Sequence, residues 1–376
     1  MHKFTFNLLF SFFLLLCFTN CDSDPIEINS VDEFDTFLQE EMEAQNLPAL
    51  SVLIFKENQV LYERNLGMAN IEQGIELEND HPFLMASVSK VVTGTALMQL
   101  HEAGQFELDD NINDYLPFSV SIPNQTTDIT FRMLLTHTSG IADGSSQDDE
   151  YYYGEDSPKA LADYLESYLS PTGQVYDANE NFHNFEPGSR HEYSNIGSAL
   201  IGVLVEEIAG IDFNEYCKQN IFNPLGMTNT TWRLDEISGT IVMPYNYVSR
   251  DYDPIGHYTF TDYPNGGLRS TARDMHQLFL AFMQGGEVNN MQLLESATVD
   301  AMLSPQIPDL DDEVGLHLFV MDKTNDLWGH DGGEQGVATV VAFNRENNIG
   351  AVILTNQGDA ELDEILQAAY QLGEGF

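Results

Sequence analysis

Apolar residues recur at helical spacing over residues 31–46, where Phe34, Phe37, Leu38 and Met42 share one face. The spacing predicts an amphipathic helix ended by Pro48. Two apolar runs, 50–55 and 60–62, then flank Glu57-Asn58-Gln59, and this pattern predicts a β-hairpin. A polar loop (70–82) leads into 85–98, apolar enough for a buried helix and closed near Gly104. Helices and loops prevail from 105 to 262. Asp156-Ser157-Pro158 has the cap-then-proline signature of a helix start, and 196–209 reads as a strongly apolar helix. The acidic, Tyr/Asn-rich stretches 143–156 and 171–187 read as surface loops. Beyond 262 come a helix (274–283), short β-like runs (314–321, 337–343, 349–355) and a last helix (359–372), with no internal repeat. Strands at both ends with helices between predict an α+β fold. Residues 25–100 and 263–376 would form one sheet domain, and 101–262 a mainly helical one.

The N-terminus departs from this texture. Residues 4–18 are almost continuously apolar after a weakly basic start. That run is too short to span a bilayer and suits a secretory leader covering 1–20. Export to the periplasm or cell surface is therefore expected. Cys21, followed by Asp22-Ser23-Asp24-Pro25, resembles the lipid-attachment cysteine of a bacterial lipoprotein. An ordinary cleaved leader with an unrelated cysteine is the alternative. Only Cys217 remains in the body, so neither a disulfide framework nor a thiolate metal cluster is expected. With 60 acids against 14 Lys plus Arg the net charge is −46, which disfavours nucleic acid and anionic lipid as partners. A small-molecule or peptide substrate remains, with membrane contact only through the leader or an anchor. The histidines are scattered without a His-Glu-x-x-His, so no metal site is expected. Paired carboxylates carry no information in so acidic a chain.

Lys90 is one of six lysines, yet it lies among Val88, Val91 and Val92 and one turn after Ser87. Residues i and i+3 share a helix face, so the two side chains can meet. A serine hydroxyl needs a base to become a nucleophile, and a desolvated lysine can be that base. The plain alternative is a helix whose lysine snorkels to the surface. Tyr193 and Asn195 form a second candidate, between the Pro187-Gly188 turn and the apolar helix. A tyrosine with a lowered pKa can act as a base, and an asparagine can orient a lysine or a substrate amide. The third candidate is Trp328-Gly-His-Asp-Gly-Gly333, where His330 would present an imidazolium or a donor at a sheet edge. Its plain alternative is a β-turn with a surface histidine.

Ser87-x-x-Lys90, Tyr193-x-Asn195 and His330-Asp331-Gly332, in that order, resemble the class C β-lactamase and DD-peptidase family. The stretches "LLTHTSGI", "IFNPLGMTNT" and "NGGLRSTARDM" are similar to family segments, and the likeness spans about 31–372. The resemblance implies a β-lactamase/transpeptidase-like fold, an antiparallel sheet flanked by helices with an inserted helical domain. It implies Ser87 as nucleophile, Lys90 as proton acceptor and Tyr193 as proton shuttle. Asn195 would hold Lys90 and the substrate amide, and His330 would supply a cation or donor near Tyr193. The backbone N–H groups of Ser87 and Gly333 would form an oxyanion hole, with Asp331 and Gly332 lining the substrate. No cofactor is implied. His137 would be a structural residue near the site and His101 a helix-end partner. Asp331 departs from the hydroxyl residue common there, which disfavours carboxylate-bearing substrates such as β-lactams and D-Ala-D-Ala peptides. Esterase, D-amino-acid amidase or peptidase, and β-lactamase activity all stay open. A non-catalytic binding or sensor lipoprotein of the same fold is the alternative.

Overall fold

The structure is a computed structural model that describes residues 27–376. The leader, Cys21 and the first residues of the expected sheet domain lie outside the described residues.

Helix α1 (Val31–Gln45) starts at Ser30, whose side chain accepts from the Glu33 N–H. It ends at Asn46, in the left-handed region with φ 56°, two residues before the proline expected to stop it. Strands β1 (Ala49–Lys56) and β2 (Gln59–Asn70) form the predicted hairpin, turning through Glu57-Asn58. β2 runs well past its predicted end and pairs with the short β3 (Ile75–Glu76). From the C-terminal part come β4 (Phe319–Asp322), β5 (Leu327–Glu334), β6 (Val337–Asn344) and β7 (Ile349–Thr355). The order is β4-β5-β6-β7-β1-β2-β3, every neighbour antiparallel, so the two ends of the chain are joined where β1 pairs with β7. The α+β architecture and the antiparallel sheet are as expected.

Helices cover both faces of this sheet. α1 packs on one face with the last helix, through Phe34, Leu38, Ile365 and Leu366. Each such side chain contributes about 1.5–3 kcal/mol by leaving water. The other face carries the helical mass: α2 (Ser89–Glu102), α3 (Leu161–Leu169), α4 (Asn195–Ala209) and α5 (Ala272–Met283). The last helix is α6 (Asp363–Glu374). α2 is buried around almost its whole circumference, which explains its lack of a polar face.

Three expectations change. The Asp156 carboxylate accepts from the Leu234 and Asp235 N–H groups at 2.8 and 3.0 Å instead of capping a helix, and α3 starts only at Leu161. The run at 314–321 yields only Phe319–Asp322 as strand. β5 was expected only as a sheet-edge segment or a β-turn around His330 and not among the β-like runs, because its Gly and Asp residues have low strand propensity. Ladders to β4 and β6 on its two sides hold it extended.

Candidate active site

Ser87 sits in a single 3₁₀ turn, Ala86–Val88, that runs directly into α2. Ala86 adopts φ 47°, a left-handed conformation costly for a residue with a Cβ, and this bend presents the half-buried Ser87. Lys90 is fully buried. Its Nζ lies 3.1 Å from Ser87 Oγ, 2.8 Å from Asn195 Oδ1 and 2.6 Å from the Asn265 carbonyl oxygen, and it donates to all three. Burial lowers its pKa to about 7, against the opposing pull of Asp143 and Asp262. An ammonium spends all three N–H groups on this cage. The neutral amine has a lone pair free to take the Ser87 proton.

Asn195 is the first residue of α4, which Ser194 caps by accepting from the Gly197 N–H at 2.8 Å. Asp143 completes that cap. Its carboxylate accepts from the Asn195 N–H (2.9 Å), the Asn195 side-chain amide (3.0 Å) and the Ile196 N–H (3.0 Å). The amide oxygen of Asn195 is thereby left to face Lys90. Asp143 belongs to the stretch 143–156 read as a surface loop, and that reading is corrected. Ser145–Glu150 form 3₁₀ turns, and Tyr151–Tyr153 pair with Tyr258–Phe260 beside the cleft.

The Tyr193 ring stacks on His137, 4.2 Å between centroids and 27° between planes, with Lys90 Nζ 4.9 Å from the Tyr193 centroid. Burial raises the pKa of its hydroxyl, while the Ser87 hydroxyl pulls it down. The side chain is 40% exposed, so solvent moderates that rise. The lowered pKa considered from the sequence is reversed: at rest Tyr193 is a phenol, able to relay a proton but not to take the first one. His137 holds this platform from a left-handed turn at φ 53°, with Nδ1 accepting from the Ser194 N–H.

His330 is corrected too. It lies on β5, inside the sheet rather than at its edge, and is 2% exposed. Its Nδ1 is 2.5 Å from the Asp331 carbonyl oxygen, and its ring meets Phe319 edge-on at 5.1 Å. Burial lowers its pKa to about 4, so it is a neutral imidazole and not a cation. Donation from Nδ1 to the carbonyl leaves Nε2 as an acceptor, and Nε2 is buried without a partner. Gly332 touches the Ser87 turn: a Cβ there would lie 2.8 Å from the Ser87 N and from the Met85 carbonyl oxygen. Gly333 faces open space beyond it. The Asp331 side chain is 76% exposed. A cavity of about 280 Å³ is lined by Ser87, Asn195, Gly333, Glu334, Tyr151 and Asp262 among others, but not by Asp331.

Asp143, Asn265, Asp262, Tyr151 and Glu334 escaped the sequence reading. A faint signal existed for two of them. Asn265 opens the family-like "NGGLRSTARDM", and Asp143 follows "LLTHTSGI" by two residues. Among the described residues, one group has ligand atoms close enough for a metal, Glu78, Asp80 and His81. It lies in the loop before Ser87 and does not line the cavity.

A buried Ser-x-x-Lys pair at a helix start, a Tyr-x-Asn at a second helix and a His-x-Gly strand across the cleft define the β-lactamase-like serine hydrolase superfamily. The Beta-lactamase family model matches residues 34–373, and the chain belongs to that family. Beta-lactamase-like protein 4 of Dictyostelium discoideum is 26% identical over 352 residues, which cover 87% of this chain and 60% of that protein. The chain thus spans well under two thirds of that relative. The octameric penicillin-binding protein homologue from Pyrococcus abyssi superposes with TM-score 0.73 at 22% identity, over 92% of this chain and 77% of the other. A class C β-lactamase superposes with TM-score 0.72 at 18% identity, over 91% and 94%.

Proposed function

We propose that the protein is an exported serine hydrolase that opens an ester or amide through an acyl-enzyme on Ser87. The observation that carries this is Lys90: fully buried, 3.1 Å from Ser87 Oγ, with a pKa brought to about 7. Neutral Lys90 takes the Ser87 proton as the Oγ–carbon bond forms. The carbonyl oxygen becomes an oxyanion at the N–H groups of Ser87 and Gly333, where such donors are worth about 2.7–4 kcal/mol of barrier. The proton passes by Tyr193 to the leaving oxygen or nitrogen as its bond to carbon breaks. A water then gives a proton back along the same path and attacks the ester carbon, and Ser87 leaves reprotonated with the free acid as product. His330, neutral and with Nε2 unpartnered, supplies no charge to this relay.

The exposed carboxylate of Asp331, beside His330, supports neutral or cationic substrates over β-lactams and D-Ala-D-Ala peptides, which carry a carboxylate. Export rests on the apolar leader at 4–18, and anchoring on Cys21. The test is intact-mass detection of a covalent adduct from a panel of penicillin, cephalosporin, fluorophosphonate and p-nitrophenyl esters. An adduct is expected on the wild type and none on Ser87→Ala. Labelling that survives the substitution sinks the nucleophile assignment, and no labelling by any probe favours a non-catalytic binding protein.

A further inference from the structure

The cavity beside Ser87 is unusual in its charge. Glu334 follows Gly333 on β5, and its carboxylate accepts from the Tyr151 hydroxyl at 3.1 Å and its neighbour Gln335 N–H at 2.8 Å. Asp262 is 5% exposed, and its Oδ2 accepts from Gln147 (3.0 Å) and Asn265 (2.7 Å). Exposed Asp148 lines the same cavity. Among the described residues no Arg or Lys forms an ion pair with Glu334 or Asp262, and the fully buried Lys90 is already held by Ser87, Asn195 and Asn265. Nearby Glu150, equally buried, does have a cation, Lys159. Burial pushes both carboxyls up, Asp262 to about 7, while Lys90 pulls Glu334 down, so a second cation bound in the cavity would favour their charged forms. Two aromatic rings share the wall: Tyr151 and Phe260 stand 5.5 Å apart, and aromatic faces attract organic cations. Tyr193, which must reach the leaving group, does not line this cavity. The acyl part of the substrate therefore fills it.

We infer that Glu334, Asp262, Tyr151 and Phe260 form an ammonium subsite for the acyl group, so that preferred substrates carry an organic cation a few bonds from the scissile carbonyl. This rests on the acyl-enzyme reading. Ser87 Oγ bonds to the carbonyl carbon, the leaving alcohol or amine departs with the Ser87 proton, and the cationic acyl group stays in the subsite until water releases it. At about 280 Å³ the cavity suits a short chain.

Three p-nitrophenyl esters of matched shape test it: 4-(trimethylammonio)butyrate, its isostere 5,5-dimethylhexanoate, and the monoester of adipate. In the full chain, kcat/KM is expected to fall in that order, by about tenfold or more from cation to neutral isostere. Glu334→Gln should cut that cation-to-neutral ratio by about tenfold, mainly through KM. The ratio should largely survive about 0.5 M NaCl, which screens the acidic surface but not a buried pair. A ratio near one, a ratio unmoved in Glu334→Gln, or one abolished by salt overturns the subsite. Should Glu334→Gln fail to fold by circular dichroism, the same ratio in Asp262→Asn decides. Fluorophosphonate labelling of Ser87 without the charge order removes the subsite alone. No turnover and no Ser87 adduct removes the acyl-enzyme reading, and the subsite with it.

Discussion

The role proposed for Lys90 depends on its being dry. Burial strips the ammonium of water, and Asp143 and Asp262 limit how far its pKa falls. A base must be neutral to accept a proton, so kcat/KM for a neutral ester should rise with pH and level off above about 7. Lys90→Arg, whose guanidinium stays protonated, should lose that rise and at least about 100-fold in activity. Asp262→Asn removes a negative charge that favours the ammonium, so the rising limb should move to lower pH. A pH–rate profile of the three proteins checks the sign. A limb that moves up in Asp262→Asn contradicts this assignment of the base. Asp143 acts one step further out, fixing the Asn195 amide so that its oxygen faces Lys90.

Three elements meet at Ser87: the Ala86–Val88 turn, the N-terminus of α4 and strand β5. Their fit is tight at Gly332, where a methyl group would meet Met85 and Ser87 backbone at 2.8 Å and the Thr339 hydroxyl at 2.7 Å. Gly332→Ala should force β5 away from the turn, open the oxyanion hole and cost about 100-fold or more in acylation rate. Gly333→Ala meets open space and should fold with a melting temperature near the wild type. Stopped-flow acylation with thermal unfolding of both variants separates the two effects. Wild-type acylation in Gly332→Ala overturns the close-approach argument. β5 was also the element least legible beforehand, since its glycines and its histidine suit the site rather than a strand. The long apolar helices α2 and α4 were legible because burial on all sides leaves a clear record in composition.

Across the molecule, a net charge of −46 places like charges close together on one compact surface. Self-repulsion of this kind weakens the folded state and is screened by salt. The melting temperature should therefore rise between about 0.02 and 0.5 M NaCl, measured by scanning calorimetry. A flat response means that the acids are already paired or too dispersed to repel. The sheet joins both ends of the chain at β1 and β7, so the helical mass between them closes over one face and the cleft forms where they meet.

The apolar pattern along the chain determined the α+β class, because periodicity is a local property, and the resemblance carried by the three motifs implied the family, the antiparallel sheet and the grouping of Ser87, Lys90, Tyr193 and Asn195. Tertiary structure alone decided the protonation states and the charge of the pocket. The sequence cannot reveal that His330 is sealed and neutral, that Tyr193 rests as a phenol on His137, or that Glu334 and Asp262 line one cavity with Ser87. Those properties depend on desolvation and, for Tyr193 and Glu334, on neighbours more than 50 residues away, and both arise only when the chain has closed on itself.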